Sequence, residues 1–180
     1  MAGVASPFAA VESCIMSRKG RERTAAVALV LFLVPGCRGG KVKAAPLAES
    51  AMKAEIVVRE VPLRASPATA IRAAVTIRNR GTGVWPAEGN PDLGGRVNLS
   101  YHWLDQAGHM IEFEGIRSAL PKPLRPNEEA AITARILVPV RPGSYILQFD
   151  LVQEWVAWFR VQGASVPIIV DPSYSQNPAR

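Results

Sequence analysis

An all-β fold is what this sequence predicts. From residue 54 onward apolar and polar residues alternate in short runs, and Gly and Pro clusters separate the runs. After the N-terminal segment no stretch of ten or more residues carries the 3.6-residue apolar period of a helix. That excludes a helix-linked parallel sheet and leaves antiparallel pairing. At 180 residues, 48% of them hydrophobic, the chain is long enough for one domain with a real core and too short for two comfortable ones.

The elements follow in order. Arg18, Lys19, Arg21 and Arg23 lead straight into the apolar block of residues 24–34, and a positive stretch followed by a short hydrophobic one is how a secretory signal reads. The block is about a dozen residues where a membrane-crossing helix needs roughly 20, so a permanent span is the weaker reading. Leu33-Val34-Pro35-Gly36-Cys37 then resembles a bacterial lipobox, with Val34 and Gly36 matching and Pro35 departing. The resemblance implies that Cys37 is lipidated and becomes the N-terminus of an exported, envelope-anchored protein, with the membrane as its first partner. Acyl chains contribute about 0.8 kcal/mol per buried methylene, so two or more hold a protein stably on a bilayer.

Residues 1–37 are therefore expected to be a signal peptide. Residues 1–15 are expected to be an over-extended start, because Met16 stands just before the basic stretch. The chain has two cysteines. Cys14 is lost with the signal and Cys37 takes the lipid, which leaves no disulfide and a core that must hold the fold alone. Residues 38–53, small and basic, read as a flexible tether. Residues 172–180 read as a disordered tail.

Between them, residues 54–171 hold the strands. Ile71, Ala73, Val75 and Ile77 form one apolar row, and Val97, Leu99, Tyr101 and Trp103 a second, with Asn98, Ser100 and His102 on its polar face. Ile132, Ala134, Ile136, Val138 and Val140 form a third, and Tyr145, Leu147, Phe149 and Leu151 a fourth. Shorter candidates are residues 55–60, 110–117, 156–161 and 165–170. Turns fall at 105–108 and 141–144, and a longer Pro-rich crossing at 121–127. Seven to eight strands with turn signals at near-regular spacing predict an immunoglobulin-like antiparallel β-sandwich, with a small barrel as the alternative.

The formal charge of +6 invites a nucleic-acid reading, yet residues 54–171 carry twelve basic and twelve acidic side chains. The excess lies in the signal, the tether and the tail, so no nucleic-acid partner is expected.

Three segments carry a family resemblance. Asn79, Gly81, Trp85 and Pro86 look like the "N-x-G-x-x-x-W-P" strand end of bacterial immunoglobulin-like modules. Tyr101, Trp103, Asp105 and Gly108 look like their "Y-x-W-x-D-x-x-G" hairpin. Pro142, Gly143 and Tyr145, then Asp150-Leu151-Val152, Glu154, Trp158 and Phe159, resemble their "P-G-x-Y" and "D-L-V-x-E-x-x-x-W-F" end. Trp155 departs from the pattern, which has a small residue there. Such modules occur beside glycosyltransferases and methyltransferases of bacterial surface-polysaccharide systems. They are similar to the four-tryptophan domain of selective-autophagy receptors, which implies a protein-interaction role.

Of the four tryptophans, Trp103 is expected in the core and Trp85 at the end of the sandwich. Trp155 and Trp158 have opposite parity, so a regular strand would expose one of them. Trp85, Trp155 and Trp158 are the candidate ligand-binding residues. No catalytic residue is expected: His102 and His109 flank a turn as solvated residues, Asp150 with Glu154 lacks a nucleophile or metal partner, and Glu112 with Glu114 is a solvated pair. No metal site and no cofactor are expected. The reading is a non-enzymatic envelope lipoprotein that binds polysaccharide or an envelope protein. Its alternative is an accessory subunit docking on a glycan synthesis or export enzyme by strand addition, without a ligand of its own.

Overall fold

The computed structural model describes residues 45–89 and 94–175. The expected signal peptide, Cys37, the first part of the tether and the end of the tail lie outside the described residues. In chain order the strands are β1 (Ala54–Glu60), β2 (Arg64–Ala65), β3 (Ala70–Asn79), β4 (Val97–Asp105), β5 (Met110–Glu112), β6 (Ser118–Ala119), β7 (Glu129–Leu137), β8 (Gly143–Gln153), β9 (Ala157–Trp158) and β10 (Ser165–Val170). The smaller sheet has the order β1-β3-β7. The larger runs β2-β10-β8-β4-β5, with β6 added to β4 and β9 to β8. The short β2 pairs in parallel with β10, and the long strands pair antiparallel. Strands switch between the sheets along the chain, and this order is that of an immunoglobulin-like β-sandwich.

Period-two patterning places the core. Ile71, Ala73, Val75 and Ile77 of β3 and Ile132, Ala134 and Ile136 of β7 are buried. So are Val97, Leu99, Tyr101 and Trp103 of β4, Leu147, Phe149 and Leu151 of β8, and Ile168 and Val170 of β10. Trp103, expected inside, meets Tyr101 and Tyr145 edge-on, with ring centroids 6.4 and 6.0 Å away. Its indole N–H donates to the Leu137 carbonyl at 2.9 Å, and the Leu137 N–H donates to the Tyr101 hydroxyl at 2.8 Å. Two aromatics of the larger sheet thereby satisfy the end of β7, polar groups included.

Several expected boundaries move. Strand 110–117 stops at Glu112, because residues 113–117 turn onto the outer face of β4. The row ending at Val140 stops at Leu137, shortly before Pro139, whose missing N–H cannot extend a ladder. The candidate strand 156–161 shrinks to β9.

The tether expected to reach residue 53 is docked from residue 45. Gln153, fully buried, accepts from the Leu47 N–H at 2.8 Å and donates to the Ala45 and Gly95 carbonyls at 3.1 and 2.9 Å. A 3-10 turn, Glu49–Ala51, then buries Ala51. The expected tail also starts later than residue 172: Asp171 accepts from the Ser173 N–H and hydroxyl at 2.9 and 2.7 Å, and the Ser66 hydroxyl donates to the Tyr174 carbonyl.

Asn79 organises the end of the sandwich. Its amide donates to the Gly83 and Leu124 carbonyls at 2.8 and 2.9 Å and accepts from the Gly81 N–H at 2.8 Å. Gly81 is required by a close approach, since a Cβ there would sit 2.2 Å from the Ala51 carbonyl oxygen. That same carbonyl accepts the Trp85 indole N–H at 2.7 Å.

At the β4–β5 turn Asp105 accepts from the His109 N–H at 2.8 Å and faces its imidazole at 3.0 Å. The backbone donor first and the ring second hold the Asp105 carboxyl below its ordinary value. His109 is solvated there, as expected.

Asn79→Ala takes their partner from the Gly81 N–H and the Gly83 carbonyl, while the Leu124 carbonyl keeps the Trp85 N–H at 2.9 Å, so it is expected to cost about 2 kcal/mol. Urea unfolding reads this as a lower midpoint at unchanged slope; a variant within about 0.5 kcal/mol of the parent would contradict the role given to Asn79.

Candidate functional site

The outer face of the larger sheet is where exposed aromatic and polar side chains meet. In β4 and β8, Asn98 lies opposite Val152, Ser100 opposite Asp150 and His102 opposite Gln148. The sequence places Asn98, Ser100 and His102 on a polar face and reads His102 as solvated. The structure corrects this: His102 is 3% exposed and its polar neighbours are buried. Their cover is the segment 113–117 and the β9 hairpin.

That segment can lie flat on β4 because of Gly115. A Cβ there would stand 2.4 Å from the Tyr101 carbonyl oxygen, which instead accepts the Gly115 N–H at 3.1 Å. The Gly115 carbonyl takes the Ser100 hydroxyl at 3.0 Å and Arg117 at 2.7 Å. Arg117 also donates to Glu154 at 3.0 Å and to Ser100 at 3.2 Å and pairs with Glu114. Glu154 accepts the Asn98 amide at 2.7 Å as well. The guanidinium, so fixed, lies 4.9 Å from the centre of the Trp158 ring, a cation–π distance.

His102 packs against two rings that also touch each other. Phe113 stacks on it at 4.7 Å, Trp158 tilts against it at 4.5 Å, and the two covering rings meet edge-on at 4.9 Å. The His102 Nδ1 lies 2.6 Å from the Phe113 carbonyl, which can only accept, so Nδ1 carries a proton. Its Nε2 faces Asp150 at 3.7 Å. Asp150 accepts the N–H groups of Leu151, Arg160 and Val161 at 2.8, 3.1 and 3.0 Å. The carboxylate thus ties β8 to the loop after β9. Among the described residues no group of three or more His, Cys, Asp or Glu side chains is placed to hold a metal ion.

The face carries two concavities that share Trp158, Val156 and Ala157. The larger, about 860 Å³, is lined by Phe113, Gln148, Trp158 and Arg160 among others. The smaller, about 430 Å³, lies among Glu114, Arg117, Trp155 and Trp158. A third cleft of about 550 Å³ opens at the sandwich edge, over Trp103 and between Ile111, Leu137 and Tyr145, and its lining is mostly apolar.

The three candidate tryptophans divide. Trp85 is fully buried, edge-on to Phe159 at 5.1 Å and hydrogen-bonded to Ala51; it is out of a ligand's reach and leaves the candidate set. Trp158 is half-buried in the aromatic cluster. Trp155 does not sit on a regular strand, as the parity reasoning assumed. It occupies the turn between β8 and β9, 82% exposed, with φ of 62°. His102, Phe113, Gln148 and Arg117 were missed as site residues. Phe113 was readable only as the inward partner of Ile111 on a strand that in fact ends before it.

No family model matches the chain, and no curated protein is close enough to count as a relative. Distant solved structures do resemble it. A β-glucosidase from Listeria innocua is 12% identical at a TM-score of 0.40, over 66% of this chain and 16% of that one. A CARDB domain from Pyrococcus furiosus is 14% identical at 0.39, over 66% and 92%. The DNA-bound alkylpurine glycosylase AlkC of Pseudomonas fluorescens is 12% identical at 0.39, over 66% and 31%. At these distances no ligand or activity carries over. The immunoglobulin-like fold is read from this chain's own strand order and pairing.

A left-handed backbone disfavours a side chain with a Cβ by roughly 1–2 kcal/mol, a cost that Gly escapes. Trp155→Gly is therefore expected to leave the domain as stable as the parent or about 1 kcal/mol more stable. A thermal melt showing a loss above about 1 kcal/mol would mean that Trp155 packs as part of the fold.

Proposed function

We propose that this chain is a non-enzymatic, lipid-anchored protein of the bacterial envelope whose immunoglobulin-like domain binds polysaccharide on the outer face of the larger sheet. The observation that carries the reading is Trp155: a large apolar ring, almost wholly exposed, held in a conformation that costs stability. Strain and exposure together at one residue point to selection for contact with something else. What surrounds it suits a sugar. Pyranose rings offer flat C–H faces that stack on indole, and their hydroxyls can donate to the Glu114 carboxylate and accept from Arg117 and the Gln148 amide, which line the two concavities. The balanced charge of residues 54–171 fits a neutral or mixed-charge polymer better than a polyanion.

Catalysis receives no comparable support. Asp150 holds backbone N–H groups of β8 and of the loop after β9, and Glu154 Oε1 holds Asn98 and Arg117, so both carboxylates have roles in the fold.

The binding test is a glycan array or polysaccharide pull-down with the full chain. Retention is expected for the parent, with a loss of tenfold or more in Trp155→Gly and in Trp158→Ala. No retained polysaccharide, with an envelope enzyme co-purifying instead, would favour an accessory docking subunit. The anchoring test is palmitate labelling in cells: label is expected on the parent and absent from Cys37→Ala, and label that persists in the variant would remove the lipid anchor from the reading.

A further inference from the structure

We infer that the free edge of β7 pairs with β7 of a second copy, joining two smaller sheets into one six-stranded antiparallel sheet. Edge strands expose unpaired backbone groups, and proteins that stay single blunt them with bulges, charges or brevity. Among the described residues the other edges are blunted. β1 is bulged between Val58 and Glu60, with Arg59 at the bulge. β2 has two residues, and β5 has three with a register shift opposite Trp103 and Leu104. β7 is different: nine residues, in unbroken register with β3, and no proline.

Which backbone groups face outward is fixed by neighbouring bonds. The N–H of Val138 goes to Thr69, toward β3, while the N–H and carbonyl of Leu137 go the other way, to Tyr101 and Trp103. By the period of two, Arg135, Thr133, Ala131 and Glu129 also point their N–H and C=O groups away from β3. Their side chains are exposed on the sheet's outer face.

The strand is complementary to itself. Antiparallel pairing centred on Ile132 sets Ala131 against Thr133 of the second copy, and Glu129 against its Arg135. Every outward-pointing residue then meets another of the same kind, for roughly eight backbone hydrogen bonds. The charges agree with this register. Arg135 lies directly opposite Arg72 within the sheet, a like-charge placement that is unfavourable by itself. Among the described residues, neither Arg72 nor Arg135 has an ion-pair partner, and Glu129, which the register sets opposite Arg78, forms no ion pair with it. In the pair, Glu129 of one copy stands beside Arg135 of the other, twice by symmetry, as an isologous contact requires. The small Ala131 and Thr133 between them leave the approach unobstructed.

Sedimentation of the full chain in detergent across a concentration series tests the pairing, with amide exchange as a second readout. A monomer–dimer equilibrium is expected, with protection of the Ala131, Thr133 and Arg135 amides rising with dimer fraction. Arg135→Glu, which faces Arg72 favourably and so keeps the fold, is expected to raise the dissociation constant about tenfold or more. Glu129→Arg, which sets an Arg opposite Arg78 and is therefore compared only where its thermal melt shows a folded domain, is expected to do the same, and the double reversal to return it to within about threefold of the parent. A chain that stays monomeric, or a dimer indifferent to both single reversals, or a double reversal as weak as the singles would each overturn the inference.

Discussion

Burial on both faces of β4 and β8 is the constraint on which the rest of this structure depends. Their inner faces carry the aromatic and aliphatic core. Their outer faces carry Asn98, Ser100, His102 and Asp150, which are equally withdrawn from water. A buried polar group without a partner costs about 1–3 kcal/mol, so the second cover cannot be apolar padding. It must supply donors and acceptors in register. Segment 113–117 does so with the carbonyls of Phe113 and Gly115, and Arg117 bridges Ser100 to Glu154. The concavities of the candidate face are the gaps in that cover. Their walls are therefore held by the network that holds the fold, which is what a preorganised binding surface requires.

The same constraint explains which parts were legible in the sequence. Alternation gave the inner rows of β3, β4, β7 and β8, because one side of each row is uniformly apolar. It could not tell that the polar side of β4 is buried too, since Asn, Ser and His are ordinary solvent-facing residues. Their burial depends on a long-range contact from residue 115, made possible by an absent Cβ that no local pattern announces. Residues 110–117 alternate well enough to pass for a strand, yet register shifts opposite Trp103 and Leu104 and the pairing ends at Glu112. That is how Phe113 came to face outward. The tether was misjudged for a related reason. Residues 45–53 have no periodicity, because they are fastened through backbone groups, to Gln153 and to the Trp85 indole, rather than through an apolar stripe.

The residues that make the family resemblance turn out to be builders. Asn79, Gly81 and Trp85 tie the sandwich end, Tyr101 and Trp103 satisfy Leu137, Asp105 closes a hairpin, and Asp150 and Glu154 join β8 to its outer cover. Each has a structural reason that any module of this shape would share, which is why such motifs report fold and remain silent on ligand. The proposed recognition residue sits where the pattern is broken. A glycine would meet the left-handed turn at position 155 without strain; Trp155 meets it at a cost and lies open to solvent. For this chain the departure is more informative than the match.

The two surfaces singled out lie on different sheets, the aromatic face on the larger and the β7 edge on the smaller, and neither shares a residue with the other. Occupation of one leaves the other free. That separation matters for a polymeric ligand. A single shallow face stacking one or two sugar units binds weakly, because little area is desolvated and the fixed costs of association remain. Two identical faces in the proposed dimer would turn the second contact with a repeating chain into an intramolecular event, raising avidity by about 10²–10⁴ where the spacing permits both to engage. The proposed lipid anchor would add to this by confining the copies to a surface, where an edge contact too small to persist in dilute solution would form readily. Strand pairing, weak as a lone interaction, would then set how strongly a weak sugar site holds a long polysaccharide.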